Sequence, residues 1–214
     1  KKVLELASGL LKLGVKKGDR VAMLLNNSPQ FIYFYFAVQY LGAEIIPLNT
    51  FLRQEEIIYI LNDSNAVALV TSSDFNPVMK DFSISRANSL KNIISTDELK
   101  DIKSILYKDI VSNETITPAV PFDTDTAAII YTSGTTGHPK GAMLTHKNLV
   151  SNVEQSIKAI NIKPSDRFII FLPMFHAFSF TVCVLIPLYV NCRLTIIKSI
   201  QPFSNILKAI MKDR

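Results

Sequence analysis

The chain has 214 residues, of which 48% are hydrophobic and 19% are charged, an ordinary globular composition for one large domain. This balance excludes disordered, collagen-like and disulfide-scaffold proteins. The net charge of +5 is spread along the chain instead of forming a basic block, so no nucleic-acid partner is indicated. Cys183 and Cys192 lie in an apolar region with no further ligand residues nearby, which favours reduced thiols in a cytoplasmic protein over a metal site.

Hydrophobic periodicity predicts alternating helices and strands over the first 71 residues. A first helix ends at Gly14, and a second begins at Ser28-Pro29, a capping hydroxyl followed by proline at the first helical position. A further helix is predicted over 53–62. Buried strands are predicted over 20–25, 43–47 and 66–71. Because parallel neighbours need crossover connections, this order predicts an α/β fold of layered, mostly parallel sheets with flanking helices.

The pattern weakens between residues 72 and 125 and then returns. A strand is predicted over 127–131, and a helix begins at Thr145. The apolar stripe of that helix consists of Leu149, Val153, Ile157 and Ile160. His146 is predicted to be exposed at the start of this helix.

The segment 168–190 contains no Asp, Glu, Lys or Arg and is long enough for a membrane-spanning helix. Pro173 and Pro187 interrupt it, and His176 would place a titratable group inside the bilayer. Its β-branched and aromatic beginning, 168–172, favours a buried strand that stops at Pro173. A peripheral contact of this basic chain with a membrane is a weaker alternative.

Residues 131–141 combine three glycines, four Ser or Thr hydroxyls and Lys140. Glycines allow backbone amides to approach a ligand, and hydroxyls, amides and a lysine suit phosphate oxygens. The segment is not a Walker A loop, because Gly141 and not Ser or Thr follows the lysine. The alternative is an exposed Gly/Thr hairpin that links two strands.

The string Tyr-Thr-Ser-Gly-Thr-Thr-Gly-His-Pro-Lys-Gly over 131–141 resembles the phosphate-binding signature of the adenylate-forming superfamily. This superfamily contains acyl-CoA synthetases, luciferases and the adenylation domains of peptide synthetases. Residues 14–21 followed by 27–29, then 41–49 and 59–71, are similar to the family's early units, and 172–176 to its following motif. The resemblance therefore covers nearly the whole chain.

The resemblance implies a two-step reaction. A carboxylate attacks the α-phosphorus of ATP to give an acyl-adenylate and pyrophosphate, and coenzyme A then takes the acyl group. The residues implied to bind ATP are Thr132, Ser133, Gly134, Thr135, Thr136, Gly137 and Lys140. His138 fills the variable position of the string, where phosphate contact is less favoured. Mg²⁺ is the implied cofactor, with its glutamate ligand expected beyond Arg214.

The motif that contains Phe175 and His176 corresponds in the family to the wall of the acyl pocket. We expect His176 to position substrate and not to transfer a proton. Segment 172–184 has no acidic residue to pair with a substrate ammonium group, so a simple carboxylic acid is favoured. A medium- or long-chain fatty acid is the first choice and an aryl acid the second. The residues expected to suit an aliphatic chain are Phe175, Ala177, Phe178, Ser179 and Phe180.

Residues 1–214 are interpreted as the N-terminal part of the adenylation domain, with a first lobe over 1–165 and the start of a second over 166–214. The C-terminal domain is then absent, the catalytic set is incomplete, and the isolated piece is expected to be inactive. The apolar run 168–197 favours self-association. The alternatives are a noncatalytic nucleotide- or acyl-binding module and a ligase that acylates a carrier protein.

Overall fold

The computed structural model describes residues 1–132, 138–198 and 203–212. Within them, the seven strands of one sheet, here the large sheet, lie in the order β5-β4-β3-β1-β2-β6-β7. Neighbouring strands pair parallel except β6 and β7, which pair antiparallel. The strands are β1 (Arg20–Met23), β2 (Glu44–Pro47), β3 (Ala68–Thr71), β4 (Asn92–Ser95), β5 (Ile105–Leu106), β6 (Thr126–Thr132) and β7 (Lys140–Thr145).

Helices connect and cover these strands, as the alternating pattern predicts. Ser28 Oγ accepts a hydrogen bond from the Phe31 amide, and Thr145 Oγ1 accepts one from the Asn148 amide, so both predicted helix starts are confirmed. Gly14 has φ +89° just after the first helix. The helices are α1 (Lys2–Lys12), α2 (Pro29–Tyr40), α3 (Gln54–Asp63), α4 (Asn76–Met79), α5 (Tyr107–Ile110) and α6 (His146–Ile160).

Residues 167–196 contain a second, two-stranded sheet, here the small sheet. Its parallel strands are β8 (Arg167–Ile170) and β9 (Arg193–Ile196). They are joined by α7 (Ala177–Phe180), a π-helical turn (Thr181–Leu185) and α8 (Ile186–Val190), and α9 (Ser204–Lys212) follows later. The predicted strand in this region is confirmed, but its predicted burial is wrong, because only Ile170 of β8 is buried.

None of the helices in the described ranges has the length and apolarity needed to cross a bilayer.

The core lies on both faces of the large sheet because side chains alternate along its strands. Val21 and Met23 join one cluster, whereas Ala22 and Leu24 join the other. The first cluster contains the apolar faces of α1 and α2. It also contains Ile170 of β8 and, from the segment that joins β8 to β9, Met174, Phe180 and Val184. The small sheet and its helices therefore share a core with the α1 and α2 side of the large sheet.

Candidate functional site

The carboxyl ends of the parallel strands share one edge of the large sheet. Asn27 lies just beyond β1, Asp74 beyond β3, and Thr132 is the last residue of β6. Ligands of open α/β sheets bind at this edge, because the connecting loops there diverge and leave a crevice. The predicted phosphate-binding segment starts at the same edge.

Thr132 and Lys140 are directly opposite each other in the antiparallel pair β6–β7, and both are exposed. The intervening Ser133, Gly134, Thr135, Thr136 and Gly137 lie outside the described residues. The antiparallel pairing of β6 and β7 agrees with the predicted alternative of a hairpin that links two strands. Among the described residues, the Lys140 ammonium has no ion pair or hydrogen bond. A cation held on a strand without a counter-ion is free to bind an anionic ligand.

The base of this hairpin packs on α3. The Tyr131 hydroxyl donates to Asp63 Oδ2 at 2.6 Å. Burial and this bond to a carboxylate raise the pKa of Tyr131, so the hydroxyl stays protonated and remains a donor. The His138 ring stacks on the Tyr59 ring with centroids 5.0 Å apart and an interplanar angle of 21°. These contacts fix the strands on either side of residues 133–137.

Gly141 is required by packing. A Cβ atom there would lie 2.7 Å from Ile129 Cγ2 and 3.0 Å from the Tyr131 ring. From the sequence, the glycines of the segment were expected to allow backbone amides to approach a ligand. At Gly141 the structure gives a different reason, a close contact between β6 and β7. A single sequence cannot show such a contact.

The turn that contains Phe175 and His176 follows β8 and leads into α7. The His176 amide donates to the Pro173 carbonyl at 3.1 Å, and Ser179 Oγ donates to the Leu172 carbonyl at 3.1 Å. His176 is exposed and Phe175 is half-buried, with its ring centroid 6.5 Å from that of Phe51 beyond β2. The turn is therefore held beside the carboxyl edge of the large sheet.

Two of the residues expected to suit an aliphatic chain belong to the core instead. Ser179 is fully buried, and the Phe180 ring lies 4.6 Å from that of Tyr35 and 6.1 Å from that of Phe31. Phe178 is 59% exposed. Neighbouring residues of a helix point about 100° apart, so α7 can expose Phe178 while it buries the next two side chains.

An open cleft of about 490 Å³ adjoins the turn. Phe51, Phe171 and Phe175 supply part of its apolar wall, and Asp74 and Lys198 part of its polar wall. Asp74 bonds with the Lys198 ammonium at 3.0 Å and also accepts from Asn26 at 3.0 Å. Burial raises the pKa of Asp74, but these hydrogen bonds outweigh it and hold the pKa below its ordinary value.

Sequence reasoning missed this polar group. Its members lie 48 and 124 residues apart in the chain and belong to no common motif. The signal that was available is the position of Asn26 and Asp74 after the predicted strands 20–25 and 66–71, where carboxyl-edge residues are expected. No predicted strand directly precedes Lys198.

The predicted exposure of His146 is wrong. It is half-buried at the start of α6, not exposed, and burial lowers its pKa. It lines a mainly apolar cavity of about 310 Å³ between α2, α6 and α8. In the part of the chain that the structure describes, no three His, Cys, Asp or Glu side chains come together in a group that could hold a metal ion.

A mostly parallel sheet whose carboxyl edge presents an exposed lysine, unpaired among the described residues, defines an α/β protein with a candidate anion site at that edge. The chain belongs to the AMP-binding enzyme family, whose model matches residues 1–214. This confirms the resemblance found in the sequence, and the predicted α/β fold is confirmed as well.

Among curated relatives, the crotonobetaine/carnitine–CoA ligase of Escherichia coli is 36% identical over 169 residues. That match covers 77% of this chain and 33% of the relative, so the chain spans about one third of the length of the curated relatives it matches.

Two solved structures show the same fold. The anthranilate CoA ligase AuaEII in complex with anthranoyl-AMP has a TM-score of 0.89 at 25% identity, covering 99% of this chain and 41% of that one. The Mycobacterium tuberculosis fatty acyl CoA synthetase has a TM-score of 0.87 at 26% identity, covering 99% and 40%. Members of the family similar to this chain are thus acid–CoA ligases.

Proposed function

We propose that the protein containing this chain uses ATP to activate a carboxylic acid and then transfers the acyl group to coenzyme A. The observation that carries the proposal is the Thr132–Lys140 strand pair, which presents an exposed ammonium without a counter-ion among the described residues. It stands at the sheet edge that also holds the Phe175–His176 turn. A phosphate-binding group and an acid-binding segment at one edge suit the joining of an acid to a nucleotide.

In the first step, a carboxylate oxygen forms a bond to the α-phosphorus and the bond from that phosphorus to the pyrophosphate oxygen breaks. Negative charge grows on the leaving pyrophosphate. Lys140 would stabilise this charge from a position fixed before the reaction, which costs no reorganisation. Thr132 lies opposite it, and the hydroxyls and amides of 133–137 are proposed as further donors.

Magnesium would neutralise part of the pyrophosphate charge when bound. Carboxylate oxygens and water are its preferred ligands in proteins. The described residues contain no cluster of carboxylates, so the proposal assigns no residue of this chain to the ion.

A fatty acid is the proposed substrate class. Segment 172–184 contains no acidic residue to pair with an ammonium group, and the exposed Phe178 ring beside His176 offers apolar surface to an alkyl chain. The similarity to a fatty acyl CoA synthetase supports this choice. An aryl acid is the second candidate, favoured by the similarity to a ligase in complex with anthranoyl-AMP.

We also propose a cytoplasmic location. Cys183 and Cys192 are free thiols, as expected where the environment is reducing.

The first test is acid-dependent exchange of labelled pyrophosphate into ATP by the intact protein. Lys140→Ala should lower the exchange rate by about 10²- to 10³-fold, the range seen when one stabilising donor is lost. Lys158→Ala, which removes an exposed lysine of α6, is the matched control and should leave the rate unchanged. Wild-type exchange by Lys140→Ala, or no exchange with any acid, would contradict the proposal.

The substrate class is tested separately by comparing kcat/KM for octanoate and palmitate with kcat/KM for benzoate and anthranilate. A higher value for either fatty acid is expected. A higher value for an aryl acid would replace the fatty-acid assignment and leave the adenylation proposal intact.

A further inference from the structure

The Asn27 side chain joins the two sheets of the molecule. It lies in the segment just beyond β1 and is only 7% exposed. Its Oδ1 accepts a hydrogen bond from the Met174 amide at 2.8 Å. Its Nδ2 donates to the Leu172 carbonyl at 2.9 Å and to the Ile197 carbonyl at 3.3 Å. Leu172 and Met174 follow β8, and Ile197 follows β9, so one amide group reaches the carboxyl ends of both strands of the small sheet.

Only an amide of this length satisfies the three backbone groups together. An aspartate would keep the acceptor for Met174 but place a second oxygen against two carbonyl oxygens. An alanine would remove the partner of the Met174 N–H and of the Ile197 carbonyl, whereas the Leu172 carbonyl would keep its hydrogen bond from Ser179 Oγ. Each unsatisfied buried group costs about 1–3 kcal/mol. A second polar link between the sheets, Asp74 with Lys198, is more exposed and correspondingly weaker.

The three hydrogen bonds of Asn27, here the Asn27 clamp, are made at the beginning of the turn that carries the predicted substrate residues. Bonds to Leu172 and Met174 fix both sides of Pro173, and Phe175 and His176 are the next two residues. The His176 side chain is exposed, and its location is determined by the backbone of this turn. Because Asn27 lies just beyond β1, it sets where the turn stands relative to the carboxyl edge of the large sheet, where Thr132 ends β6.

We propose that Asn27 is a positioning residue that places the Phe175–His176 turn for binding of the carboxylic acid. This role rests on the proposed acid activation. Asn27 itself does not contact the reacting atoms. It acts through the backbone of residues 172–174, and a displacement of about 1 Å at a reacting pair can cost as much as 10²-fold in rate.

The test uses Asn27→Ala and Asn27→Asp in the intact protein, with Asn62→Ala and Asn62→Asp as matched controls. Asn62 makes the same kind of clamp elsewhere, donating to the Arg86 carbonyl at 2.9 Å and accepting from the Asn88 amide at 2.8 Å. It is not bonded to residues 172–176. Thermal unfolding of every variant establishes that it is folded before the two measurements below.

The first measurement is hydrogen exchange of the Met174 amide. Both Asn27 variants should accelerate it, with the smaller effect in Asn27→Asp, which keeps the acceptor. The Asn62 variants should leave it unchanged. Unchanged exchange in folded Asn27→Ala would overturn the proposal whether or not the protein activates acids.

The second measurement is the KM of each substrate in pyrophosphate exchange. The Asn27 variants should raise the KM for the acid about tenfold and leave the KM for ATP within about twofold, because a displaced turn weakens acid binding selectively. Equal changes for acid and ATP, or equal changes in the Asn27 and Asn62 variants, would show a general structural role and overturn the proposal. If the wild-type protein exchanges with no acid, the proposed function fails, and the hydrogen-exchange result still decides whether Asn27 holds the turn.

Discussion

The central strands of the large sheet and the strands of the small sheet are similarly apolar, yet they are buried to very different degrees. All four residues of β3 and three of the four in β1 are buried. In the small sheet, β8 buries only Ile170 and β9 buries none of its four residues. The large sheet has a core cluster on each face, whereas the small sheet contributes to one of them.

An apolar strand is therefore buried only where another element covers it. In the described residues, the contacts between the small sheet and the large one include the aromatic contacts of Phe180, the Asn27 amide and the Asp74–Lys198 ion pair. Variants can remove these contacts one at a time.

The largest effect is expected from the aromatic attachment. Phe180→Ala should lower the free energy of unfolding by about 3–5 kcal/mol, because it empties a buried site between Phe31 and Tyr35. Phe178→Ala, two residues earlier in the same helix, should change it by less than about 0.5 kcal/mol, because that ring is 59% exposed. Denaturant titration measures both. Equal losses would mean that the small sheet is not anchored through Phe180.

Gly141→Ala tests the packing at the other predicted site segment. The new Cβ atom would overlap Ile129 Cγ2, and such overpacking costs about 1–3 kcal/mol. The loss should appear in thermal unfolding without any ligand present. Met143→Ala, an exposed position on the same strand, serves as the control. An unchanged stability combined with a raised KM for ATP would restore the ligand-approach explanation for this glycine.

The smallest effect is expected from the Asp74–Lys198 ion pair. The pKa of folded Asp74 lies below its ordinary value, so its stabilisation is present above the ordinary carboxyl pKa and is lost as the pH falls through the depressed one. Asp74→Asn should lower the free energy of unfolding by less than about 1 kcal/mol at pH 7, because the pair is partly exposed.

This difference between Asp74→Asn and wild type should disappear when the carboxylate is protonated in both the folded and unfolded states. Urea titrations at neutral and strongly acidic pH test it, with Glu98→Gln at an exposed position as the control. A difference that grows towards acidic pH would contradict the assignment of the pair as stabilising.

The sequence by itself determined the elements whose signals are local. Ser28-Pro29 begins α2 because the hydroxyl caps the first turn and proline fits it, and Gly14 follows α1 because it adopts a positive φ. The alternation of strands and helices was sufficient to predict a parallel α/β sheet. The eleven-residue string over 131–141 was sufficient to identify the family.

Burial, packing and hydrogen-bond partners depend on residues far apart in the chain, so they follow from the tertiary structure. The burial of Ser179 and Phe180, the packing of Gly141 and the contacts of Asn27 all follow from which element lies opposite. The segment after 137 became the edge strand β7 because β6 was available as its partner. Periodicity and composition report the preferences of a segment for its own conformation, whereas burial and hydrogen-bond partners belong to pairs of segments, and only the folded chain brings those pairs together.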